Sequence, residues 1–238
     1  LRVVSISEMK EIEKVCAEKY YYDENLIIEN VGLRGADYLY QSYLKEHNYG
    51  EIVVLVGSGN NGADALAIAR NLRNKGFAVR AFILFPDNKM ESGFVHQLKM
   101  CKSFGVKISE IREIDSLRAY FNESQDEYFV IDGILGTGYR APLSNYLFEI
   151  ITLVNECATK IIAIDIPSGV EGDSGAVSSA SILAYETLAV QVPKIGHFIA
   201  QGAQRSGKLH IIEAGFPREA LKGGDISLLA PSRVAHVI

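Results

Sequence analysis

The 238-residue chain has no tryptophan, three cysteines, six prolines and three methionines, and it lacks any excess of positive charge. Each scarcity excludes something. Cys16, Cys101 and Cys157 are odd in number, widely spaced and without a C-x-x-C pair or nearby histidines. Neither a disulfide framework nor a zinc site is expected, and the thiols should be reduced and packed as small apolar groups. With 24 Lys and Arg against 29 Asp and Glu, the net charge is −5. That argues against a broad, sequence-independent grip on nucleic acid, which needs clustered cations to displace counterions. No run approaches the roughly 18 continuous apolar residues of a membrane helix, and the N-terminus lacks a basic segment followed by an apolar one. A soluble, cytoplasmic protein is expected, with no membrane partner. The chain begins at Leu1 rather than Met, which fits a processed or trimmed product and leaves room for a removed organelle-targeting segment.

What is present is aliphatic. Hydrophobic residues make up 48% of the chain, enough apolar surface to offset chain entropy, with no low-complexity tract. Met9, Ile12, Cys16 and Tyr20 form a helical stripe over 7–20, with Ser7 as the expected N-cap. A second helical stretch covers 23–44, broken in character by Gly32 and Gly35. Then Ile52–Val56, a continuous apolar run ending in glycine, reads as a strand buried on both faces. Alternating segments follow: helix 63–74, strand 78–84, helix 91–104, strand 106–109, helix 115–121, strand 128–132, helix 143–157 and strand 160–166. Glu186–Val192 and Lys208–Ala214 read as further strands. This alternation predicts one α/β domain, a mostly parallel sheet covered by helices on both faces, preceded by two N-terminal helices. In such sheets ligands bind beyond the carboxyl ends of the strands.

The strand ends carry the polar residues. The first is followed by Gly57-Ser-Gly59-Asn60-Asn61-Gly62-Ala63-Asp64, a G-x-G-x-x-G turn whose N–H groups, at a helix N-terminus, suit a phosphate. A turn needing positive φ at its glycines accounts for the bare pattern equally well, and Asp64 fits a first-turn acid favoured by the helix dipole. The Asn pair is not needed for a turn. Asp132 closes a later strand before a second glycine loop, Gly136-Thr137-Gly138, and Asp165-Ile-Pro-Ser168-Gly closes the next. Two aspartates at neighbouring strand ends repel unless a cation, proton or ligand intervenes. Asn61, Asp132 and Ser168 offer hard oxygen ligands with one negative charge, suited to a weakly held alkali cation. Lys194 follows a further strand; alone, it reads most simply as a solvated surface lysine. No histidine sits in a Ser/His/Asp pattern, and only His197, close to Lys194, has a claim on the site.

Taken together, these motifs resemble the NAD(P)H-hydrate epimerase family, the YjeF N-terminal domain family, over nearly the whole chain. Ser7-Glu8-Met9-Lys10 with Glu29-Asn30 is similar to its N-terminal helices, and Asn60 to Asp64 to its N-N-G-G-D loop. Asp132 with Gly136-Thr137-Gly138 and Pro142, Asp165-Ile166-Pro167-Ser168-Gly169, Pro193-Lys194-x-Gly196 and Gly215-Phe216-Pro217 match in order. The resemblance implies a three-layer αβα, Rossmann-like fold over residues 1–224, with 225–238 a tail or the start of a linker. It implies an isomerase that epimerises the 6-hydroxy centre of hydrated NADH and NADPH. Asn60, Asn61, Gly62, Ala63, Asp64, Gly136, Thr137, Gly138, Tyr139, Arg140, Ala141, Pro142 and Asp165 would bind substrate. Asn61, Asp132 and Ser168 would hold one potassium ion, and no redox cofactor is required.

From the chemistry, Asp165 is the expected acid/base, with Lys194 auxiliary. Ala63 and Ala65 stand where glycine is usual, and a methyl there narrows backbone approach. Resemblance also implies a homodimer, and the Tyr20-Tyr21-Tyr22 cluster of the N-terminal helices fits an interface or the core equally. The partner in function would be an NAD(P)HX dehydratase, because 225–234 is similar to the linker that leads into such a domain in bifunctional members. Two other readings compete. One is a non-catalytic nucleotide-binding or scaffold member of the same fold. The other is an NAD dehydrogenase with Gly57, Gly59 and Gly62 as fingerprint and Asp87 on the ribose.

Overall fold

The computed structural model describes residues 2–47, 49–85, 87–88, 90, 92–123, 127–223 and 226. Seven parallel strands, β1 (Glu51–Val56), β2 (Ala78–Ile83), β3 (Lys107–Glu110), β4 (Phe129–Gly133), β5 (Lys160–Ile164), β6 (Glu186–Val190) and β7 (Lys208–Ile212), form one sheet in the order β3-β2-β1-β4-β5-β6-β7. The sheet is wholly parallel rather than mostly so among the described residues. Helices α1 (Ile6–Tyr20), α2 (Glu24–Leu39, continued by a π turn at Tyr40–Leu44), α3 (Asn60–Asn74), α4 (Ser92–Ser103), α5 (Ile114–Glu123), α6 (Asn145–Cys157) and the short α7 (Gly202–Arg205) complete the fold.

The continuous apolar strands are explained by their two-residue period. Ile52, Val54 and Val56 of β1, Ile131 of β4 and Ile162 and Ile164 of β5 enter a core shared with α1 to α4. Their neighbours Val53, Leu55, Val130, Ile161 and Ala163 enter a second core with α5 and α6. In these central strands nearly every residue is buried on one face or the other, so no polar alternation is visible in the sequence.

Several boundaries move. Ser5, not Ser7, caps α1, its side chain accepting from the Glu8 N–H. Asp23 caps α2 in the same way at Leu26. Gly32 and Gly35 do not break α2. A Cβ at Gly32 would lie 2.5 Å from the Ala67 Cβ, and one at Gly35 2.8 Å from Ile68 Cδ1. The two glycines let α2 close onto α3. β5 ends at Ile164, ahead of the Asp165 expected within it, and β6 at Val190, short of the expected Val192. Cys16 and Cys101 are buried, Cys157 is half-buried, and all three are free. Burial pushes the Cys101 thiol up to about 12. Glu91, and the 225–238 tail apart from Ile226, lie outside the described residues.

The strand order reverses between β1 and β4, which opens a crevice at their carboxyl ends.

Candidate active site

A cavity of about 680 Å³ sits at that crevice, bounded by the β1–α3 loop, the loop after β4, Asp165, Lys194 and one face of α1. The turn Gly57–Gly62 has no positive φ, contrary to the simplest reading of its glycines. Gly57 and Gly62 are required by contact instead. A Cβ on Gly57 would sit 1.8 Å from the Ile134 carbonyl oxygen, and one on Gly62 2.1 Å from the Gly57 oxygen. The β1–α3 and β4 loops are thereby pressed together. α3 begins at Asn60 with Gly59 as its N-cap and no side chain capping it, leaving first-turn N–H groups at the cavity.

Asn60, Asn61, Asp64, Gly136, Thr137, Gly138, Tyr139, Asp165 and Lys194 all line the cavity, whereas Gly62, Ala63, Arg140, Ala141 and Pro142 do not. Arg140 turns back onto its own loop, donating to the Thr137 oxygen at 3.1 Å and the Tyr139 oxygen at 2.6 Å. Ala63 and Ala65 are buried in the core on α3. Their methyl groups therefore do not narrow the cavity, and Ala65 fills the space facing Gly133, where a Cβ would approach within 2.3 Å. Asp87, the ribose acid of the dehydrogenase reading, is instead bound to Arg112 at the surface.

Asp165 is the most constrained residue of the site. It adopts a left-handed φ of 63°, a conformation an L residue holds only when its surroundings over-determine it. They do. Its N–H donates to the Leu188 oxygen at 2.8 Å, and its Oδ1 accepts from the Val190 N–H at 3.1 Å and from the Lys194 ammonium. Lys194 is not a surface lysine: its side chain is 1% exposed, and it also donates to the Val190 oxygen at 3.0 Å. The His197 ring joins the two, its Nδ1 accepting from the Lys194 N–H at 2.9 Å and its Nε2 lying 2.7 Å from the Asp165 oxygen. With Nδ1 an acceptor, Nε2 carries the proton and donates to that carbonyl. Burial and the Lys194 charge hold the imidazole below its ordinary value, which fits this neutral form.

Beneath the cavity, Asp132 is fully buried. Its Oδ1 accepts from the Ile134 N–H at 3.2 Å and the Ser168 hydroxyl at 2.6 Å, and its Oδ2 from the Ser168 N–H at 2.9 Å. Burial nevertheless pushes its carboxyl up to about 6. Asn61 donates to the Leu135 oxygen at 2.8 Å, while its own Oδ1 is buried without a hydrogen-bond partner among the described residues. Asn61, Asp132 and Ser168 thus meet around Leu135, whose N–H donates to the Ser168 hydroxyl oxygen at 2.8 Å. A buried oxygen lacking a donor, beside a carboxylate that burial disfavours, fits a small cation held by oxygen ligands.

The N-terminal helices contribute residues not assigned to the site from sequence: Lys10, Glu13 and Lys14 of α1 and Glu24 of α2 line the cavity. Asn60 donates to Glu24 across the mouth. The one signal was the i, i+3, i+4 spacing of Lys10, Glu13 and Lys14, common to any solvated helix face. Of the Tyr20-Tyr21-Tyr22 cluster, Tyr22 turns inward to donate to the Ala214 oxygen at 2.7 Å, while Tyr21 is 87% exposed.

The profile of the YjeF-related protein N-terminus matches residues 24–196. The chain belongs to that family. It is similar to an NAD(P)H-hydrate epimerase of Rhodopirellula baltica, 31% identical over 92% of this chain and 86% of that one. It is also similar to one of Elusimicrobium minutum, 29% identical over 93% and 99%. A bifunctional NAD(P)H-hydrate repair enzyme of Moorella thermoacetica is 26% identical over 91% of this chain, which spans 41% of that longer protein. The crystal structure of yeast ynu0 superposes with a TM-score of 0.74 over 98% of each chain at 20% identity, an agreement of fold. No described helix is long and apolar enough to cross a membrane.

Proposed function

We propose that this chain is an NAD(P)H-hydrate epimerase, interconverting the R and S epimers of 6-hydroxylated NADH and NADPH. The observation that carries the reading is the ion pair of buried Lys194 with Asp165, whose backbone is left-handed, at the wall of a cavity that also holds a helix N-terminus. The 6-hydroxyl is on a carbon bonded to the ring nitrogen. Once that oxygen is protonated, the nitrogen lone pair expels water and leaves a planar iminium. Water returning to the opposite face, with loss of one proton, inverts the centre. No electrons are exchanged. Asp165 is our assigned acid/base, and Lys194 fixes its orientation through one oxygen. A carboxylate at this position also stabilises the positive charge that develops on the ring. The α3 N-terminus, with Asn60 and the Gly136–Gly138 segment, offers N–H groups to the substrate's phosphates.

Potassium fits the Asn61, Asp132 and Ser168 oxygens. When bound it would supply a positive charge that offsets buried Asp132 and fixes the β1–α3 and β4 loops against each other. The similarity to bifunctional proteins supports an NAD(P)HX dehydratase as the functional partner. We also propose a homodimer and a cytoplasmic setting.

The test supplies R-NADHX and follows the S epimer by chiral separation or NMR. Turnover by the wild-type chain that Asp165→Asn abolishes, with an unchanged circular dichroism spectrum, is the expected result. No conversion by the wild-type chain in the presence of potassium would overturn the reading.

A further inference from the structure

An epimerisation that expels water from one face and re-admits it on the other needs a proton given and a proton taken. Asp165, ion-paired to Lys194 and accepting from the Val190 N–H, is arranged to take. The group arranged to give lines the same cavity. Asp64 follows the Asn pair on α3, is 9% exposed, and lines the cavity. Its Oδ1 is buried without a hydrogen-bond partner among the described residues. The charged groups acting on it are Asp165 from the end of β5, Glu13 from α1, Glu24 from α2 and Lys194. Lys194 is already committed to Asp165, and Lys10 and Lys14 of α1 also line the cavity. A carboxyl with one oxygen buried and without a donor, acted on by three acids, is costly to ionise, which favours its protonated form. Burial foremost, then these acids, hold its carboxyl well above the ordinary carboxylate range.

We infer that Asp64 is the general acid of this site, protonating the leaving 6-hydroxyl, while Asp165 receives the proton of the returning water. This rests on the epimerase reading above and divides between two carboxyls the acid and base steps assigned there to Asp165 alone. In the step, the Asp64 O–H bond breaks as the proton moves to the substrate oxygen, the C6–O bond breaks and its electrons leave with water. The nitrogen lone pair forms the C=N bond. Water then bonds to C6 from the Asp165 side, the C=N electrons return to nitrogen, and the surplus proton passes to Asp165. Exchange with solvent returns one proton to Asp64 and removes one from Asp165, so the cycle nets to isomerisation. Two carboxyls with opposed surroundings thus take opposed roles.

Asp64→Asn is close in size and keeps a hydrogen-bonding amide but cannot transfer a proton. Removing a positioned general acid is expected to lower kcat about 10²-fold or more with KM little changed. The wild-type rate should fall as pH rises through the Asp64 titration, and the variant's residual rate should lose that alkaline limb. A rise in KM with kcat intact would overturn the inference, leaving Asp64 as a binding residue only. The second measurement is independent of turnover. Carbon-13 carboxyl shifts of aspartate-labelled protein, with Asp64→Asn supplying the assignment, should show Asp64 protonated at pH 7. An ionised Asp64 at pH 7 overturns the inference even if the wild-type chain is an active epimerase. A protonated Asp64 in a wild-type chain with no epimerase activity overturns the parent reading instead.

Discussion

Lys194 donates its buried ammonium to Asp165 Oδ1, across 29 residues of chain. The contact exists because β5 and β6 are neighbours in the sheet, so the residues beyond their ends converge on one point. The Lys194 side chain is 1% exposed and that of Asp165 15%. Each charge is costly to hold in that position without the other.

The first prediction follows from that interdependence. Lys194→Met removes the cation but leaves the Asp165 carboxylate near Asp64 and Glu13. Removing one partner of a buried pair costs about 3–5 kcal/mol. The double variant Asp165→Asn/Lys194→Met, which leaves no unpaired charge, should cost less than the two single changes summed. Urea unfolding of the four proteins measures the coupling. Simple additivity would mean that the pair does not act as a unit. Epimerase turnover should fall about 10²-fold or more in Lys194→Met, in line with loss of an oriented acid/base.

His197 gives a pH dependence. Its Nδ1 must stay unprotonated to accept from the Lys194 N–H, and burial lowers its titration below the ordinary value. The unfolded chain therefore binds the proton first as pH falls, so stability rises with pH across this range. The His197 contribution is complete above about 6.5, the unfolded value, and is lost progressively as pH drops toward the lower folded value. His197→Asn keeps an acceptor near Nδ1 and loses the bond to the Asp165 oxygen. Between pH 7 and 5 the wild-type melting temperature should drop further than that of His197→Asn. Parallel melting curves would remove His197 from this account.

How far the sequence disclosed this arrangement depended on the range of the cause. The order of helices and strands was readable because β1, β4 and β5 are apolar on both faces, and burial between two cores leaves a local trace. Asp165 and Lys194 were readable as polar residues beyond strand ends. Their pairing was not, since it needs the β5–β6 adjacency. Gly32 and Gly35 look like helix breakers until α3 is placed against them. Glu13 and Glu24 look like solvated surface until α1 and α2 are seen to wall the cavity. In each case the missing information was tertiary.

Cation dependence follows from Asn61 and Asp132. If potassium occupies the oxygens of Asn61, Asp132 and Ser168, it binds the folded chain alone and must raise stability with concentration. The melting temperature should rise with potassium chloride more than with choline chloride at equal ionic strength. Asn61→Ala, which removes the unpartnered Oδ1, should abolish the difference. Equal shifts with both salts would show general salt screening and no site.

The glycines of the β1–α3 turn separate two causes that the G-x-G-x-x-G pattern merges. A methyl on Gly57 would meet the Ile134 oxygen at 1.8 Å, whereas one on Gly59 meets nothing within 4 Å. Gly59 also has a φ of −100°, open to any L residue. Gly57→Ala should therefore force the two loops apart and cost about 3 kcal/mol or more by overpacking. Gly59→Ala should cost no more than about 1 kcal/mol, the difference between glycine and alanine at an N-cap. The space beside Gly59 opens toward the α3 N-terminus. If the substrate's phosphates approach that backbone, Gly59→Ala should raise KM severalfold while leaving the unfolding curve nearly unchanged. A destabilised Gly57→Ala together with an unaltered KM in Gly59→Ala would assign these glycines to the packing of two loops and place the phosphates elsewhere in the cavity.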